Sequence, residues 1–433
     1  MAPRNALSKP VTILITVVML ACGDLRLNSA IAVDVDQGVE LSREYLDAAD
    51  DPGADDQKLS QHLARYDDQW DEVVSQLQQR EFPEVQPGLH FSEHFSDPDL
   101  ARKRPDDLLY FNVPETYDPG DATGLIIFLH GGGRRTERDA PRWALDFPDP
   151  DEEGGSQMGD LLNATGMIAV GPSALWNPKS AYRWCLRATD DYLADVIAEC
   201  KARFHIDPDR VLLFGHSMGG FGAYHHLQRQ PDRFAGVLVN AGSWSLGYWP
   251  MIRGTPVCVV HGVHDAVKGE RWHYTDIEYA RFTKKLFTEQ NLELTYLQHD
   301  GEHGLFPSRD DIATYLKSAP KLRRDPYSPR IALASPVGFD EAYCFPVKHN
   351  RWLTLDEAVE GNLEYDELVE ETDGDDFDAW RLTHQRTRRP GSAIESHIRG
   401  NNTIDVTTQN VARFSLWLHP RMVDITRPVT VVV

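Results

Sequence analysis

A serine flanked by glycines is the first candidate for chemistry in this chain. Residues 215–219 read Gly-His-Ser-Met-Gly, which fits the pattern G-x-S-x-G with Ser217 at its centre. The apolar run 211–214 precedes it and a helical pattern over 221–229 follows it, so we predict a strand that turns sharply into a helix. Such a turn raises the Ser217 hydroxyl at the positive end of the helix, where it can act as a nucleophile. An ordinary Gly-Ser loop is the alternative, and the strand and helix on either side favour the nucleophile.

Two later residues are candidates for the base and the acid that a serine nucleophile needs. Asp265 follows a predicted strand over residues 257–261, and His303 follows another over residues 292–297. The loops after parallel strands share one face of a sheet, so we predict that Ser217, Asp265 and His303 form a catalytic triad there. His303 would accept the serine proton and return it to the leaving group, while Asp265 would fix the tautomer of His303.

The same two loops contain competing residues. His299 lies on the predicted strand and is expected to face the core, and Asp300 is too close to His303 in sequence to orient it easily. His261 and His264, together with Asp265, are an alternative set of metal ligands. No fourth ligand stands at a recognised spacing, so we expect no metal.

A tetrahedral oxyanion needs two backbone N–H donors. One is expected from Met218, directly after the nucleophile. The other is expected from the His130-Gly-Gly-Gly loop after an earlier predicted strand, at Gly131 or Gly132. Glycine suits this position because the backbone itself must approach the substrate.

Aromatic residues are concentrated on the loops after two predicted strands. We predict that Trp176, Trp184 and Trp244 line the acyl or leaving-group pocket. The alternative, aromatic side chains packed beneath long loops, is left open by the sequence.

Strand and helix patterns alternate through the middle of the chain, which predicts an α/β sheet. We divide the chain into an N-terminal helical segment over residues 33–84, an α/β catalytic domain over 85–325 and a β-rich accessory domain over 326–433. In the last of these, apolar and polar residues alternate, which is typical of a half-buried antiparallel sheet. The acidic residues 364–378 are interpreted as a solvated loop, with calcium binding as the less favoured alternative.

The first 32 residues have the pattern of a secretory signal, a basic start followed by an apolar run. Cleavage after Ala32 is one outcome; lipidation of Cys22 in an imperfect lipobox is the other. We expect an exported protein, with no membrane contact unless Cys22 carries lipid. Cys185 and Cys200 are a candidate disulfide pair, because export permits such bonds.

Charge bears on the partners of the protein. The chain has 433 residues and a formal net charge of −23, which argues against nucleic acid as a partner. Its length and composition are those of a globular protein with a sizeable core. The expected partner is a small-molecule or polymeric substrate, and the sequence does not indicate an oligomeric state.

Residues 107–316 resemble the esterase and polyhydroxybutyrate-depolymerase branch of the α/β-hydrolases, and are similar to prolyl-oligopeptidase-type catalytic domains. The motifs that carry the resemblance cover about half of the chain: Leu-His-Gly-Gly-Gly at 129–133, Ile-Asp-Pro-Asp-Arg-Val at 206–211, Gly-His-Ser-Met-Gly-Gly-Phe-Gly-Ala at 215–223, Pro-Asp-Arg-Phe-Ala at 231–235, His-Gly-x-x-Asp at 261–265 and Glu-His-Gly at 302–304. The resemblance implies an α/β-hydrolase fold and hydrolysis of esters or peptides without a cofactor. The β-propeller of true prolyl oligopeptidases is absent from this sequence.

We therefore predict an exported serine hydrolase that cleaves carboxylic esters linked to polysaccharides or resembling polyesters. A peptidase using the same triad is the first alternative. A surface-binding protein with a vestigial hydrolase domain is the second, and the joint presence of Ser217, Asp265, His303 and the triglycine loop argues against it.

Overall fold

The computed structural model describes the following residues: 14–18, 35–48, 72–73, 76, 81–132, 141, 145, 157–175, 183–265, 275–305, 308–336, 346–373 and 376–433. The chain divides into two compact units, one formed by Met1–Val18 with Glu84–Val433 and the other by Met19–Pro83. None of the helices described has the length and apolar character needed to cross a bilayer.

The smaller unit contains the helix α1 (Val35–Ala48). The apolar helix pattern that the sequence shows over residues 59–77 lies almost entirely outside the described residues. The predicted signal segment also lies outside them, apart from a short strand, β1 (Leu14–Val18). This strand pairs in parallel with a C-terminal strand of the larger unit.

An eight-stranded sheet forms the centre of the larger unit. The strands between residues 84 and 300 are β2 (Gly88–Glu93), β3 (Leu109–Val113), β4 (Thr123–Leu129), β5 (Ile168–Pro172), β6 (Ile206–His216), β7 (Gly236–Asn240), β8 (Leu246–Gly247), β9 (Val257–Gly262) and β10 (Leu294–His299). All except β8 join this sheet, in the order β10-β9-β7-β6-β4-β5-β3-β2. From β10 to β5 the neighbouring strands are parallel, whereas β3 pairs antiparallel with both β5 and β2.

Helices cover both faces of this sheet. They are α2 (Pro98–Lys103), α3 (Gln157–Asn163), α4 (Ala188–Arg203), α5 (Met218–Arg229), α6 (Ile277–Glu289) and α7 (Arg309–Leu316). Leu125 and Ile127 of β4 pack in one apolar cluster with α4, α5 and α6, while Ile126 and Phe128 pack in another with α3 and α7. Because successive side chains of a strand point to opposite faces, β4 contributes to both cores and is buried along its whole length.

This sheet order, with a nucleophile turn between β6 and α5, is the α/β-hydrolase fold that the sequence predicted. The wholly apolar runs of β4, β7 and β9 lie in the interior of the sheet, as expected for parallel strands buried on both faces. Strand β10 is only partly buried, because it is an edge strand.

The C-terminal region is all-β, as predicted. Its strands are β11 (Arg330–Pro336), β12 (His349–Asn350), β13 (Leu353–Ala358), β14 (Asn362–Asp373), β15 (Asp376–Arg399), β16 (Thr403–Gln409), β17 (Val411–Trp417) and β18 (Thr430–Val432). One sheet has the order β18-β16-β15-β14-β8, with β11 also paired to β15, and another has the order β1-β17-β13-β12. The pairing of β14 with β8 joins this region to the loop after β7. The predicted domain boundary at residue 325 therefore lies within a single compact unit.

The interpretation of residues 364–378 as a solvated loop is wrong. Most of this acidic stretch lies in β14 and at the start of β15, which form a long antiparallel hairpin. Arginines on β15 compensate the acidic charges, as in the 2.9 Å ion pair between Arg389 Nη2 and Glu367 Oε1. Tyr365 and Leu368 of β14 are buried, which supplies the apolar contacts of the strand.

Cys185 and Cys200 do not form a disulfide. Both are free thiols buried in the larger unit, where they pack as small apolar side chains. Burial raises the pKa of both thiols far above the usual range, so they remain protonated.

Candidate active site

The turn between β6 and α5 holds Ser217 in a conformation that non-glycine residues rarely adopt, with φ of 53° and ψ of −117°. Two close backbone approaches explain the flanking glycines. A Cβ atom at Gly215 would lie 2.0 Å from the carbonyl oxygen of Gly219, and a Cβ at Gly219 would lie 1.8 Å from the carbonyl oxygen of Leu129. A strained backbone of this kind costs on the order of 1–3 kcal/mol and is concentrated at functional sites.

A chain of hydrogen bonds connects Ser217, His303 and Asp265. His303 Nδ1 lies 2.8 Å from Asp265 Oδ1 and 3.0 Å from Oδ2, and His303 Nε2 lies 2.7 Å from Ser217 Oγ. A carboxylate accepts hydrogen bonds only, so Nδ1–H donates to Asp265 and Nε2 is left to accept a hydrogen bond from the Ser217 hydroxyl. The structure thus brings together the three residues that the sequence singled out.

The carboxylate of Asp265 is fully buried, whereas the side chain of His303 is 41% exposed. His261 lies behind the carboxylate, with Nε2 2.7 Å from the carbonyl oxygen of Thr275 and 3.3 Å from Asp265 Oδ2. Burial lowers the pKa of His261, so the ring is neutral at physiological pH and its Nε2–H donates to these oxygens. Asp265 is therefore held between two imidazoles, of which only His303 reaches the serine.

The loop after β4 brings backbone N–H groups to the serine. A Cβ at Gly131 would lie 3.0 Å from Ser217 Cβ, so the glycine backbone lies directly against the nucleophile. Gly132 has φ of +123°, which favours glycine. Met218 opens α5, where the first N–H groups have no partner within the helix. Of the predicted donors, Met218 directly follows Ser217 and Gly131 lies against it, while Gly132 is the next residue of the same loop.

His130 orients this loop, a role that the sequence did not indicate. Its Nε2 accepts a 3.2 Å hydrogen bond from the Ala174 N–H, so its Nδ1–H donates to the Gly131 carbonyl oxygen at 2.7 Å. In a trans peptide the C=O and the following N–H point in opposite directions, so this bond directs the Gly132 N–H away from the His130 ring. Trp184 supports the loop from below, with Nε1–H 3.0 Å from the His130 carbonyl oxygen.

His216 and Asn240 form a second layer behind the base. Asn240 Nδ2 lies 2.9 Å from His216 Nδ1, and the ring of His216 lies 5.3 Å from that of His303. Burial lowers the pKa of His216 to about 3, and the neighbouring His303 and His261 add to this effect. A neutral His216 places no positive charge beside the ring of His303.

The competing residues of these loops have other partners. His299 Nε2 lies 2.9 Å from Ser308 Oγ, and His264 pairs with Asp300 on the exposed surface at 2.8 Å. His264 therefore does not share a site with His261. Of the predicted pocket tryptophans, Trp184 is buried beneath the glycine loop, Trp244 lines a cavity beside α5, and Trp176 lies outside the described residues.

A second cluster of histidine and carboxylate side chains lies between α4 and α5. Among the described residues, Asp190, His225 and His226 form a group with ligand atoms close enough to hold a metal. The carboxylate of Asp190 already forms an ion pair with Arg229, whose Nη2 lies 2.5 Å from Asp190 Oδ2. The donor set therefore contains its own cation and fits a metal poorly, because a buried carboxylate paired with a guanidinium has little negative charge left to offer.

Comparison with known proteins gives a consistent class. Residues 171–252, which contain the Ser217 turn, match the model of the prolyl oligopeptidase family. A bifunctional acetylxylan esterase/xylanase of Neocallimastix patriciarum is 28% identical over 109 residues, which are 25% of this chain and 16% of that protein.

Solved structures were matched as well. A thermostable esterase aligns with a TM-score of 0.40 at 20% identity, over 54% of this chain and 63% of the other. An S-formylglutathione hydrolase of Staphylococcus aureus aligns with a TM-score of 0.40 at 12% identity, over 55% of this chain and 99% of the other.

The sheet order and the strained serine turn give the chain an α/β-hydrolase fold, and residues 171–252 are similar to the prolyl oligopeptidase family.

Proposed function

We propose that the protein hydrolyses carboxylic esters through an acyl-enzyme on Ser217. The observation that carries the proposal is the hydrogen-bonded series from Asp265 through His303 to Ser217, at the carboxyl ends of β9, β10 and β6. Nucleophilic catalysis requires a base within hydrogen-bond distance of the serine and an acid that orients this base. His303 lies 2.7 Å from Ser217 Oγ and is held by Asp265, so the geometry meets both requirements.

Acylation begins when Ser217 Oγ attacks the ester carbonyl carbon and its proton passes to His303 Nε2. The tetrahedral intermediate collapses, the bond to the leaving oxygen breaks, and His303 gives its proton to that oxygen. In deacylation His303 takes a proton from a water molecule as the water oxygen attacks the acyl carbon. The second tetrahedral intermediate collapses, the bond to Ser217 Oγ breaks, and His303 returns the proton to Oγ as the carboxylic acid leaves. The Asp265 carboxylate stabilises the imidazolium in both steps.

The oxyanion of each intermediate would be held by the N–H of Met218 and an N–H of the glycine loop at Gly131 or Gly132. Two features support this assignment: the closeness of Gly131 to Ser217 Cβ and the fixed orientation of the Gly131 carbonyl by His130. Removing one such donor typically reduces turnover by about 10²–10³.

We propose esters of a polysaccharide, or a polyester-like chain, as the substrate class. The acetylxylan esterase/xylanase relative supports the first of these, with similarity limited to 109 residues. No cofactor is required, because the base, the acid and the N–H donors all come from the chain.

A peptidase with the same three residues is the second candidate. It is favoured by the match of residues 171–252 to the prolyl oligopeptidase family. Ester and amide hydrolysis use the same steps and differ in the leaving group, so substrate assays separate them.

The test measures turnover of p-nitrophenyl acetate, p-nitrophenyl butyrate, methyl ferulate and a peptidyl-prolyl anilide by wild type, Ser217→Ala and Ser396→Ala. Ser396 is the matched control, since it lies in the C-terminal sheet and its hydroxyl bonds the Asp405 carbonyl. We expect ester turnover in wild type and Ser396→Ala and none in Ser217→Ala. Turnover of the anilide alone would establish the peptidase. Failure of Ser217 to react with a fluorophosphonate would instead revive the vestigial-hydrolase alternative.

We also propose that the protein is exported, on the basis of the leader pattern in residues 1–32. Cell fractionation of the full chain, with a Cys22→Ser variant beside it, tests this. Loss of membrane association in Cys22→Ser would establish lipidation, and soluble periplasmic or secreted protein in both would establish cleavage of the leader. Retention of both in the cytoplasm would contradict export.

A further inference from the structure

A cavity of about 170 Å³ lies beside α5 and is walled in part by the C-terminal hairpin. Phe221, Tyr224 and Gln228 of α5 contribute to it, with Trp244 from the loop after β7, Tyr279 from α6 and Glu370 from β14. Phe221, Tyr224 and Gln228 are three, four and seven residues apart, so they share one face of the helix.

The cavity begins close to the nucleophile. The Phe221 N–H donates to the Ser217 carbonyl oxygen at 3.1 Å, so this residue lies one helical turn, about 6 Å of rise, from Ser217. Gln228 lies about 16 Å along the same axis. An acetyl group on Ser217 is too short to extend this far, so only a part of a substrate beyond the acetyl group could occupy the cavity.

The hairpin is held firmly against the hydrolase at this point. The Leu368 N–H donates to the Ser245 carbonyl oxygen at 2.7 Å, and Leu368 is buried in the same apolar cluster as the hydrolase sheet. Side chains alternate along a strand, so Glu370 shares the face of Leu368 and is directed at the hydrolase. The Tyr279 hydroxyl donates to Glu370 Oε1 and orients the carboxylate.

The lining combines aromatic faces with hydrogen-bonding groups. Trp244 and Tyr224 are nearly fully buried, and both are fixed by hydrogen bonds to Thr283 Oγ1. Glu370 contributes a carboxylate and Gln228 an amide. A carboxylate and an amide beside aromatic rings suit a ring with several hydroxyl groups, because the rings pack on its C–H face while the polar groups bond its hydroxyls.

The volume indicates one ring. An engineered cavity of about 150 Å³ in another protein holds benzene, so 170 Å³ accommodates a single six-membered ring. We propose that this cavity, completed by Glu370 of the C-terminal hairpin, binds one sugar ring of the alcohol part of the ester substrate. The inference rests on the proposed ester hydrolysis and assigns the C-terminal region a role in substrate binding.

The kinetic test compares p-nitrophenyl acetate with an acetylated xylo-oligosaccharide. Glu370→Gln and Gln228→Ala should raise KM for the oligosaccharide about tenfold and leave the small ester unchanged within about twofold. The matched control is Glu371→Gln, the next residue of the same strand, whose side chain is directed to the opposite face, with Oε1 3.5 Å from Thr383 Oγ1. An equal loss on both substrates in Glu370→Gln would show a structural role and overturn the inference.

A binding test separates this inference from the proposed function. Xylose oligomers are titrated into the Ser217→Ala protein by calorimetry, with and without Glu370→Gln, and choline serves as a cationic probe. If Ser217→Ala binds the sugar and the added Glu370→Gln change weakens this binding, the sugar site is supported. This result would hold even if the wild-type protein hydrolysed no ester. Ester turnover in wild type with no sugar binding, or binding of choline in place of sugar, overturns the assignment.

Discussion

Within the described residues, two clusters each place a buried aspartate beside two histidines, and they differ in what surrounds the carboxylate. Asp265 lies between His261 and His303, and His303 extends to the exposed side and reaches Ser217. Asp190 lies beside His225 and His226, both of which are buried, and it is closed off by Arg229. The residue types are nearly the same in the two places.

The difference lies in what compensates the carboxylate. At Asp265 the compensation comes from imidazoles, one of which is accessible and lies 2.7 Å from Ser217 Oγ. At Asp190 burial alone would raise the pKa of the carboxyl, but the neighbouring rings of His225 and His226 and the hydrogen-bonded guanidinium of Arg229 outweigh it and hold the pKa well below its usual range. A permanently charged partner suits a structural cluster, whereas an accessible imidazole suits the catalytic role that we propose for His303.

The largest effect is expected from removing the accessible histidine. His303→Gln should reduce kcat on a p-nitrophenyl ester by about 10⁶, because loss of the base in a serine triad costs about as much as loss of the whole triad. His226→Gln, the matched change in the other cluster, should leave kcat per folded molecule within about twofold. Similar losses in both variants, with circular dichroism unchanged, would contradict the comparison.

The two aspartates should separate in the same way. Asp265→Asn is expected to reduce kcat by about 10⁴, because an amide favours the wrong tautomer of His303. Asp190→Asn should act on the thermal midpoint instead, with kcat of the folded fraction retained. If kcat fell in Asp190→Asn as it does in Asp265→Asn, the two clusters would be functionally coupled.

Breaking the ion pair tests the structural cluster directly. Arg229→Met leaves the carboxylate of Asp190 buried without its cation and should lower the free energy of unfolding by about 3–5 kcal/mol. Urea denaturation measures this change. The double variant Asp190→Asn with Arg229→Met should recover part of the loss, and no recovery would show that the carboxylate is not the cause.

The smallest effect is a pH dependence of stability. Burial lowers the pKa of His225 from 6.5 to about 4, although the nearby carboxylate of Asp190, 3.7 Å from its Nε2, acts in the opposite direction. Between these values the unfolded state binds more protons, so stability is present above pH 6.5 and is lost as the pH falls towards 4. Replacing the group by His225→Gln should reduce the slope by about 1.4 kcal/mol per pH unit, the contribution of one titrating group. If the free energy of unfolding of His225→Gln had the same pH slope as that of wild type between pH 6.5 and 4, His225 would not be neutral in the folded state.

Much of the hydrolase sheet follows from local sequence. Neighbours close in sequence determine the apolar strands β4, β7 and β9 and the glycine-flanked turn at Ser217. The order of strands and loops was enough to predict that Asp265 and His303 lie at the same edge of the sheet. Asp190 could not be interpreted in this way, because its partners His225 and Arg229 lie on another helix more than thirty residues away.

The C-terminal hairpin shows where local patterns fail. The acidic residues of β14 indicated a loop because their compensating arginines come later in the chain, as Arg386 does for Glu364. The place of Glu370 beside Tyr279 depends on a contact across 91 positions. The sequence pattern of α6 or of β14 alone does not indicate that the two residues are in contact.

Strand β15 runs without interruption from Asp376 to Arg399 and changes partners near Gly391. Its first part pairs with β14 at the cavity wall, and its second part pairs with β11 and β16. Amide hydrogens of a continuous strand exchange slowly when the strand opens as one cooperative unit. We therefore expect the amides of β14, which forms the cavity wall, and those of β11 and β16 to exchange at similar rates. Binding of a sugar in the cavity would then slow hydrogen exchange at the amides of β16, which does not line the cavity.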